Sequence, residues 1–243
     1  MERFRISLAG LTVDVESRYA SSRVFFRDYI SEASNADICA EVTEAEIAEF
    51  MTEEVSGGAE QAEPLAICRR IAEQLPRYGR FLLHGAAVSY AGGGYLFLAP
   101  SGTGKSTHIR LWRECIGREV GIVNGDKPIV DVSGAEARIC GTPWAGKERW
   151  QKNTSVPLRA VCLLRRGETD RIERAEVSEQ LNALLYQIYC PEDPKALSDT
   201  FSLADRLFRT VPLYVLYCTP TENAVRVSFP VLTGHAYPKG DGQ

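Results

Sequence analysis

The run Ala99-Pro100-Ser101-Gly102-Thr103-Gly104-Lys105-Ser106-Thr107 has the residue types and spacing that cradle a polyphosphate. It follows the pattern G-x-x-x-x-G-K-[ST] except at the first position, where Ala99 replaces glycine. Gly102 and Gly104 permit backbone angles that turn successive N–H groups inward onto phosphate oxygens. Alanine fits the first position if its φ is negative. A helix that starts at Lys105 adds its positive N-terminal end. Ser101 to Thr107 are therefore the predicted nucleotide-binding residues. Lys105 is expected to reach the β- and γ-phosphates, and the Ser106 hydroxyl to ligate Mg²⁺.

Phosphoryl transfer to an alcohol also needs a group that accepts the hydroxyl proton, and a carboxylate for the metal. Asp126 is the candidate for both. It follows the apolar run Val120-Gly121-Ile122-Val123, about 20 residues beyond the phosphate loop, and sits in the turn sequence Asn124-Gly125-Asp126. His84 lies inside the apolar run Phe81 to Val88, where a polar residue is out of pattern, and Gly85 beside it allows close approach of another backbone or a ligand. A strand histidine of this kind also reads as a satisfied core residue. His108 and His235 carry no comparable signal. The segment Gly141 to Trp150 is charged, mobile-looking and bears two tryptophans. It reads as an acceptor-side or phosphate-closing loop, in which Lys147 neutralises phosphate and Glu148 aids metal or acceptor binding. Arg165-Arg166 follow the apolar strand; alone the pair reads as a strand-end surface charge, and its alternative role is to reach phosphates.

These residues must be positioned by alternating strands and helices. An apolar strand, Tyr95 to Ala99, enters the phosphate loop, and a helix from Lys105 to Ile116 leaves it, with Ile109, Trp112, Cys115 and Ile116 on one side and Gly117 at its end. Phe81 to Val88 reads as one buried strand, turned by Gly92-Gly93-Gly94 into an antiparallel hairpin with Tyr95 to Ala99. Strands are expected at 120–123, 129–132, 137–140, 158–164, 213–218 and 224–229. Helices are expected along the Leu181, Leu184, Leu185 and Ile188 stripe and around 202–209. Upstream, Phe4 to Leu8 and Leu11 to Val15 form a hairpin about Ala9-Gly10. Val24 to Ile30 is helix or strand. Asp37 to Val42 is a strand, and Thr43 with Glu46 forms a capping box for a helix ending at Gly57-Gly58. Ser56 to Glu63 is the linker candidate, and a further helix begins at Pro64. The chain therefore divides into a small N-terminal α/β unit, residues 1–58, and a nucleotide-binding core, residues 59–243. The fold class is α/β with a mixed-sheet P-loop core.

Bulk properties narrow the partners. Of 243 residues, 44% are hydrophobic and 25% charged, which suits a protein with a buried core. A net charge of -4 gives no basic face for nucleic acid and no attraction to anionic membranes. No run nears the roughly 18 apolar residues of a membrane span, and the first residues do not read as a secretory signal, so the expected location is cytoplasmic. Seven cysteines, an odd number with no C-x-x-C pair, argue against a zinc or disulfide framework.

Taken together, His84-Gly85, Pro100 to Thr107, Asn124-Gly125-Asp126 and Gly141 to Glu148 resemble the HPr kinase/phosphorylase and phosphoenolpyruvate carboxykinase superfamily, more narrowly its small HPr-kinase-like members, over residues 60–230. The resemblance implies a mixed β-sheet, ATP and Mg²⁺, and phosphorylation of a Ser/Thr-type hydroxyl. It implies Asp126 as base and His84 as a neighbouring active-site residue. HPr kinases carry two adjacent acids where this chain has Asp126-Lys127. The expected acceptor is a hydroxyl on a peptide, a protein or a small molecule. Related kinases often assemble, which leaves homo-oligomers open. The competing readings are a nucleotide-binding regulatory or docking module without chemistry and, last, a carboxykinase-like enzyme.

Overall fold

Strict alternation of apolar and polar residues makes the N-terminal hairpin. Strands β1 (Glu2–Leu8) and β2 (Leu11–Ser17) pair antiparallel about Ala9 and Gly10, as the sequence predicts. The computed structural model describes residues 1–51 and 58–238. The undecided stretch 24–30 divides into helix α1 (Ala20–Phe25), a 3-10 turn (Arg27–Tyr29) and a short strand β3 (Ile30–Ser31). Strand β4 (Ile38–Glu41) follows, then helix α2 (Glu44–Ala48) with the Thr43–Glu46 capping box in place. That helix stops at Ala48 rather than running to Gly57-Gly58; Gly57 lies outside the described residues.

The linker expectation is also corrected. Ser56 and Gly57 lie outside the described residues, but helix α3 (Ala59–Ala72) already begins at Ala59. Pro64 sits in its second turn, where the lost N–H removes the helical donor of Glu60 O; the Ser21 hydroxyl donates to that carbonyl instead, at 2.7 Å. The small polar residues that suggested a linker are instead helical, because Ala62, Ala66, Ile67 and Ile71 bury against the N-terminal sheet.

The core contains strands β5 (Arg80–Leu82), β6 (Gly85–Tyr90), β7 (Gly93–Leu98), β8 (Gly121–Asn124), β9 (Ile129–Asp131), β10 (Arg138–Cys140), β11 (Ser155–Arg166), β12 (Arg171–Arg174) and β13 (Leu213–Cys218). Its helices are α4 (Lys105–Ile116), α5 (Val177–Leu185), α6 (Pro194–Thr210) and α7 (Glu222–Thr233). Among the described residues the strands form two mixed sheets. One has the order β3-β1-β2-β4, and the other β5-β9-β10-β11-β7-β6-β8 with β13 and β12 branching from β11. The long strand β11 pairs with β10 through its first residues and then with β7 and β13 in parallel.

Strand β7 is buried on both faces. Leu96 and Leu98 join one apolar cluster with Leu184 of α5 and Leu207 of α6, while Tyr95 and Phe97 join another with Ile109 and Trp112 of α4 and Phe229 of α7. Helices thus cover both faces, as a parallel strand pair requires. The run predicted as one strand over 81–88 is two, β5 and β6, interrupted at Leu83 and His84. There the backbone turns to other partners: Leu83 N–H donates to Pro128 O and His84 N–H to Gln187 O. The predicted strand at 224–229 is helix α7. Its alternating Val225-Arg226-Val227 imitates a strand, but Ala224, Val225, Ser228, Phe229 and Leu232 bury at helical spacing against α4, with Phe229 centred 5.3 Å from Trp112. The stripe on α5 is only partly core. Leu181, Leu185 and Phe201 remain exposed along a groove of about 540 Å³ between α5 and α6.

The two sheets share one apolar cluster. Leu82, Ile129, Cys140 and Trp144 of the core pack with Phe4, Ile6 and Tyr29 of the N-terminal unit. Arg80 bridges them as well, donating from Nε to Ala9 O at 2.7 Å while pairing with Asp131 at 3.0 Å. All seven cysteines are free thiols. Among the described residues no helix is long and apolar enough to cross a membrane.

His108, which carries no sequence signal, is buried on α4. Its Nε2 accepts from Trp112 Nε1 at 3.1 Å, and its ring stands edge-on to Phe97 at 4.7 Å. Burial pushes its pKa down to about 3, with Asp170 weakly opposing. The unfolded chain therefore binds a proton between pH 6.5 and about 3 that the folded chain does not. Stability from this group is fully present above pH 6.5 and falls as the pH drops through that window, by up to about 1.4 kcal/mol per pH unit. Urea unfolding at stepped pH should show this slope, and His108→Gln, which keeps an acceptor for Trp112, should flatten it.

Candidate active site

The candidate phosphate loop, Ala99 to Gly104, connects β7 and α4. Gly102 and Gly104 have φ of 75° and 117°, and a Cβ at either would meet nothing within 4 Å, so glycine is needed there for its backbone angle and not for space. Ala99 is not among the positive-φ residues, so its methyl adds no strain at the position where the pattern has glycine. Among the described residues the N–H groups of Gly104, Lys105, Ser106 and Thr107 donate to no backbone or side-chain acceptor. They are the open donors of the α4 N-terminus. Arg166, at the end of β11, donates from Nη2 to Gly102 O at 2.8 Å, so the strand-end cation braces the loop.

Lys105 is buried and donates from Nζ to Ala99 O at 2.7 Å. Burial pushes its ammonium below the usual lysine range; Asp126 opposes this and Lys127 adds to it.

Asp126 is held by its neighbours' backbone and by two side chains. Gly85 N–H donates to Asp126 O at 2.8 Å, and its own N–H donates to Asn124 Oδ1 at 2.8 Å. Its carboxylate faces His84 Nε2 and Lys127 Nζ, each at 3.4 Å. Burial alone would raise its pKa. The hydrogen bond from His84 and the charge of Lys127 outweigh this and hold the carboxyl below its ordinary range. Asp126 is therefore ionised at neutral pH. His84 and Asp126 meet because the break between β5 and β6 brings Gly85 onto the Asp126 backbone. A Cβ on Gly85 would lie 2.7 Å from Leu98 Cδ2, 2.9 Å from Leu96 Cδ1 and 3.0 Å from Phe97 O, so a larger residue would crowd the neighbouring strand β7.

The segment 141–150 is not a free loop. Gly141 to Ala145 are buried, while Gly146 to Arg149 are exposed. Its anchor is Asn124, fully buried at the end of β8. Asn124 Nδ2 donates to Thr142 O at 2.9 Å and Oγ1 at 3.0 Å, while Oδ1 accepts from Asp126 and Lys127 N–H. Thr142 Oγ1 donates to Lys127 O at 2.7 Å. Gly125 N–H donates to Trp150 O and Lys127 N–H to Trp144 O. The exposed tip then lies over the acid: a Cβ on Gly146 would stand 3.3 Å from Asp126 Cβ and 3.8 Å from Glu148 Oε2. Glu148 is thus brought to the same patch as Asp126, while Lys147 is exposed on the tip beside it.

Three residues of this site, Asn124, Thr142 and Gln187, are not singled out by the sequence. Asn124 is read there only as a turn residue. Gln187, 103 positions from His84 in the chain, touches its ring at 3.1 Å, a pairing with no local signal. Among the described residues no group of three or more His, Cys, Asp or Glu side chains is placed to hold a metal.

No protein-family model matches the chain, and no curated protein matches it. Among solved structures, one described as the Hpr(Ser) kinase/phosphatase from Coxiella burnetii aligns over 63% of this chain and 93% of that one, with 13% sequence identity and a TM-score of 0.35. At that level of likeness no residue role passes from one protein to the other, and the site rests on its own geometry.

Asn124→Ala would strip the acceptor from two N–H groups and the donor from Thr142. It should destabilise the protein by about 1–3 kcal/mol, read as a lower urea midpoint. It should also free the 141–150 segment, read as faster amide exchange at Gly125 and Lys127.

Proposed function

We propose that the chain is an ATP-dependent phosphotransferase that moves the γ-phosphoryl group to a hydroxyl acceptor. The observation that carries this reading is a juxtaposition: Gly85, whose N–H donates to Asp126 O, pairs with Leu98 at the mouth of the candidate phosphate loop, and the buried Lys105 donates to Ala99 O, the next residue. Loop N–H groups and the α4 N-terminus hold the phosphates. Lys105, released from Ala99 O, meets the charge on the β- and γ-phosphates. Asp126 takes the acceptor hydroxyl proton as the new P–O bond forms and the bond to the leaving nucleoside diphosphate breaks. His84 holds Asp126 in place.

The donor set also suits Mg²⁺. The Ser106 hydroxyl and the Asp126 carboxylate are oxygen ligands of the kind a hard cation takes, and a site with few protein ligands fits an ion bound mainly through phosphates and water. When bound, Mg²⁺ supplies neutralisation of phosphate charge. Lys147 and Glu148, on the tip over Asp126, are the acceptor-side residues of this reading. The acceptor is a serine-type hydroxyl on a peptide or protein, or a small molecule. Within residues 59–243, the nucleotide-binding core of this proposal runs from β5 onward, since helix α3 packs with the small N-terminal unit.

Incubation with γ-labelled ATP, Mg²⁺ and a panel of hydroxyl peptides and small alcohols tests it. Transfer of label is the expected result. Asp126→Asn should lower kcat roughly 10²- to 10⁴-fold with nucleotide affinity nearly unchanged. Lys105→Ala should weaken nucleotide binding itself, measured by calorimetry. ATP that binds tightly yet labels no acceptor, with Asp126→Asn indistinguishable from the parent, would replace this reading with a nucleotide-dependent docking module.

A further inference from the structure

Gln187 is a buried amide in the turn after α5, 4% exposed. Its backbone is fixed twice: its N–H donates to Leu184 O at 2.9 Å, and its carbonyl accepts from His84 N–H at 2.7 Å. One end of its side chain lies 3.0 Å from Ala99 O, 3.2 Å from His84 O and 3.1 Å from His84 Nδ1. The two carbonyls can only accept, so the atom at that end is the amide nitrogen. The other end lies 3.5 Å from Ala183 O, too long a contact to reverse the choice.

This orientation has a consequence for the imidazole. With an N–H pointing at Nδ1, that ring nitrogen is the acceptor, and a neutral imidazole then carries its one proton on Nε2. Nε2 is the nitrogen 3.4 Å from Asp126 Oδ1. The opposite tautomer would set an Nδ1 proton against the amide donor and an Nε2 lone pair against a carboxylate. Ala99 O, meanwhile, accepts from both Gln187 and Lys105 Nζ. One amide therefore touches the lysine's anchor and the histidine's ring.

We propose that Gln187 is a positioning residue that fixes His84 as the Nε2–H tautomer directed at Asp126 and ties it, through the Ala99 carbonyl, to Lys105. Its contribution to turnover rests on the phosphotransferase reading, but the tautomer does not. With this arrangement His84 donates to Asp126 and leaves the carboxylate free to take a proton from an acceptor. The proton stays on His84 throughout, so the residue orients the base and is not itself the base.

Two-bond ¹⁵N–¹H correlation spectra of the imidazoles, recorded on the intact ligand-free protein at pH 8, test this, with His84→Asn identifying the signal. The expected wild-type pattern is a protonated Nε2 and a bare Nδ1. Gln187→Glu presents an acceptor to Nδ1 and should move a proton there. A wild-type ring protonated on Nδ1 overturns the inference without any variant, so a Gln187→Glu protein that fails to fold does not protect it. An unchanged pattern in a folded Gln187→Glu protein overturns it equally. Where the wild type transfers phosphoryl groups, Gln187→Leu should lower kcat by about 10- to 100-fold; an unchanged kcat removes the positioning role. A wild type that shows the Nε2–H tautomer but transfers nothing defeats the functional reading and leaves the tautomer assignment standing.

Discussion

A carbonyl at the end of a buried strand has to find donors, and at Ala99 it finds two. Lys105 Nζ reaches it at 2.7 Å and the Gln187 amide at 3.0 Å. Leaving such a group unpaired costs on the order of 1–3 kcal/mol, so the requirement is strong enough to shape its surroundings. Lys105 lies folded back over its own loop to meet the Ala99 carbonyl, and the turn after α5 lies against the sheet beside it. That turn then receives His84 N–H through its backbone and His84 Nδ1 through its side chain. The break between β5 and β6 follows, because His84 and Leu83 spend their N–H groups outside the ladder.

The same rule of satisfaction operates a few residues away at Asn124. A buried amide with two donors and one acceptor group is matched by two N–H groups and by Thr142. The acid-bearing turn and the 141–150 segment are consequently tied together. Trp144 extends that piece into the apolar cluster it shares with the N-terminal sheet, so the small unit supports the acid from behind. Local electrostatics follow from this construction. Asp126 is partly buried, yet His84 and Lys127 keep it ionised, and its charge offsets some of the desolvation of Lys105.

Much of this was legible along the chain, and the exceptions share a cause. The Lys105–Ile116 helix, the Ala9-Gly10 hairpin and the Thr43–Glu46 capping box are each specified within a few residues, and each is present as read. The misreadings lie where local pattern and burial disagree. Val225-Arg226-Val227 alternates like a strand, but Trp112 offers a surface that only a helical spacing of Val225, Phe229 and Leu232 can cover. The small residues after Gly58 look like a linker, but small side chains are what a helix packed close on a sheet requires. His84 stood out as a polar residue in an apolar run, while its partner Gln187 did not, since nothing local distinguishes a glutamine that will be buried from one that will be solvated.

The sequence by itself determined the glycine-bearing loop before Lys105, the helix that follows it and the turn that carries Asp126 about 20 residues beyond. Those features depend on glycine φ angles, a capping geometry and an apolar stripe, all short-range properties. Only the tertiary structure decided that Asp126 faces His84, that Gln187 touches the ring, that Arg166 braces Gly102 and that the 141–150 segment is pinned over the acid. These contacts join residues tens of positions apart, and each arises because a polar group buried by the packing of the sheet must be paired by whatever the fold brings within reach.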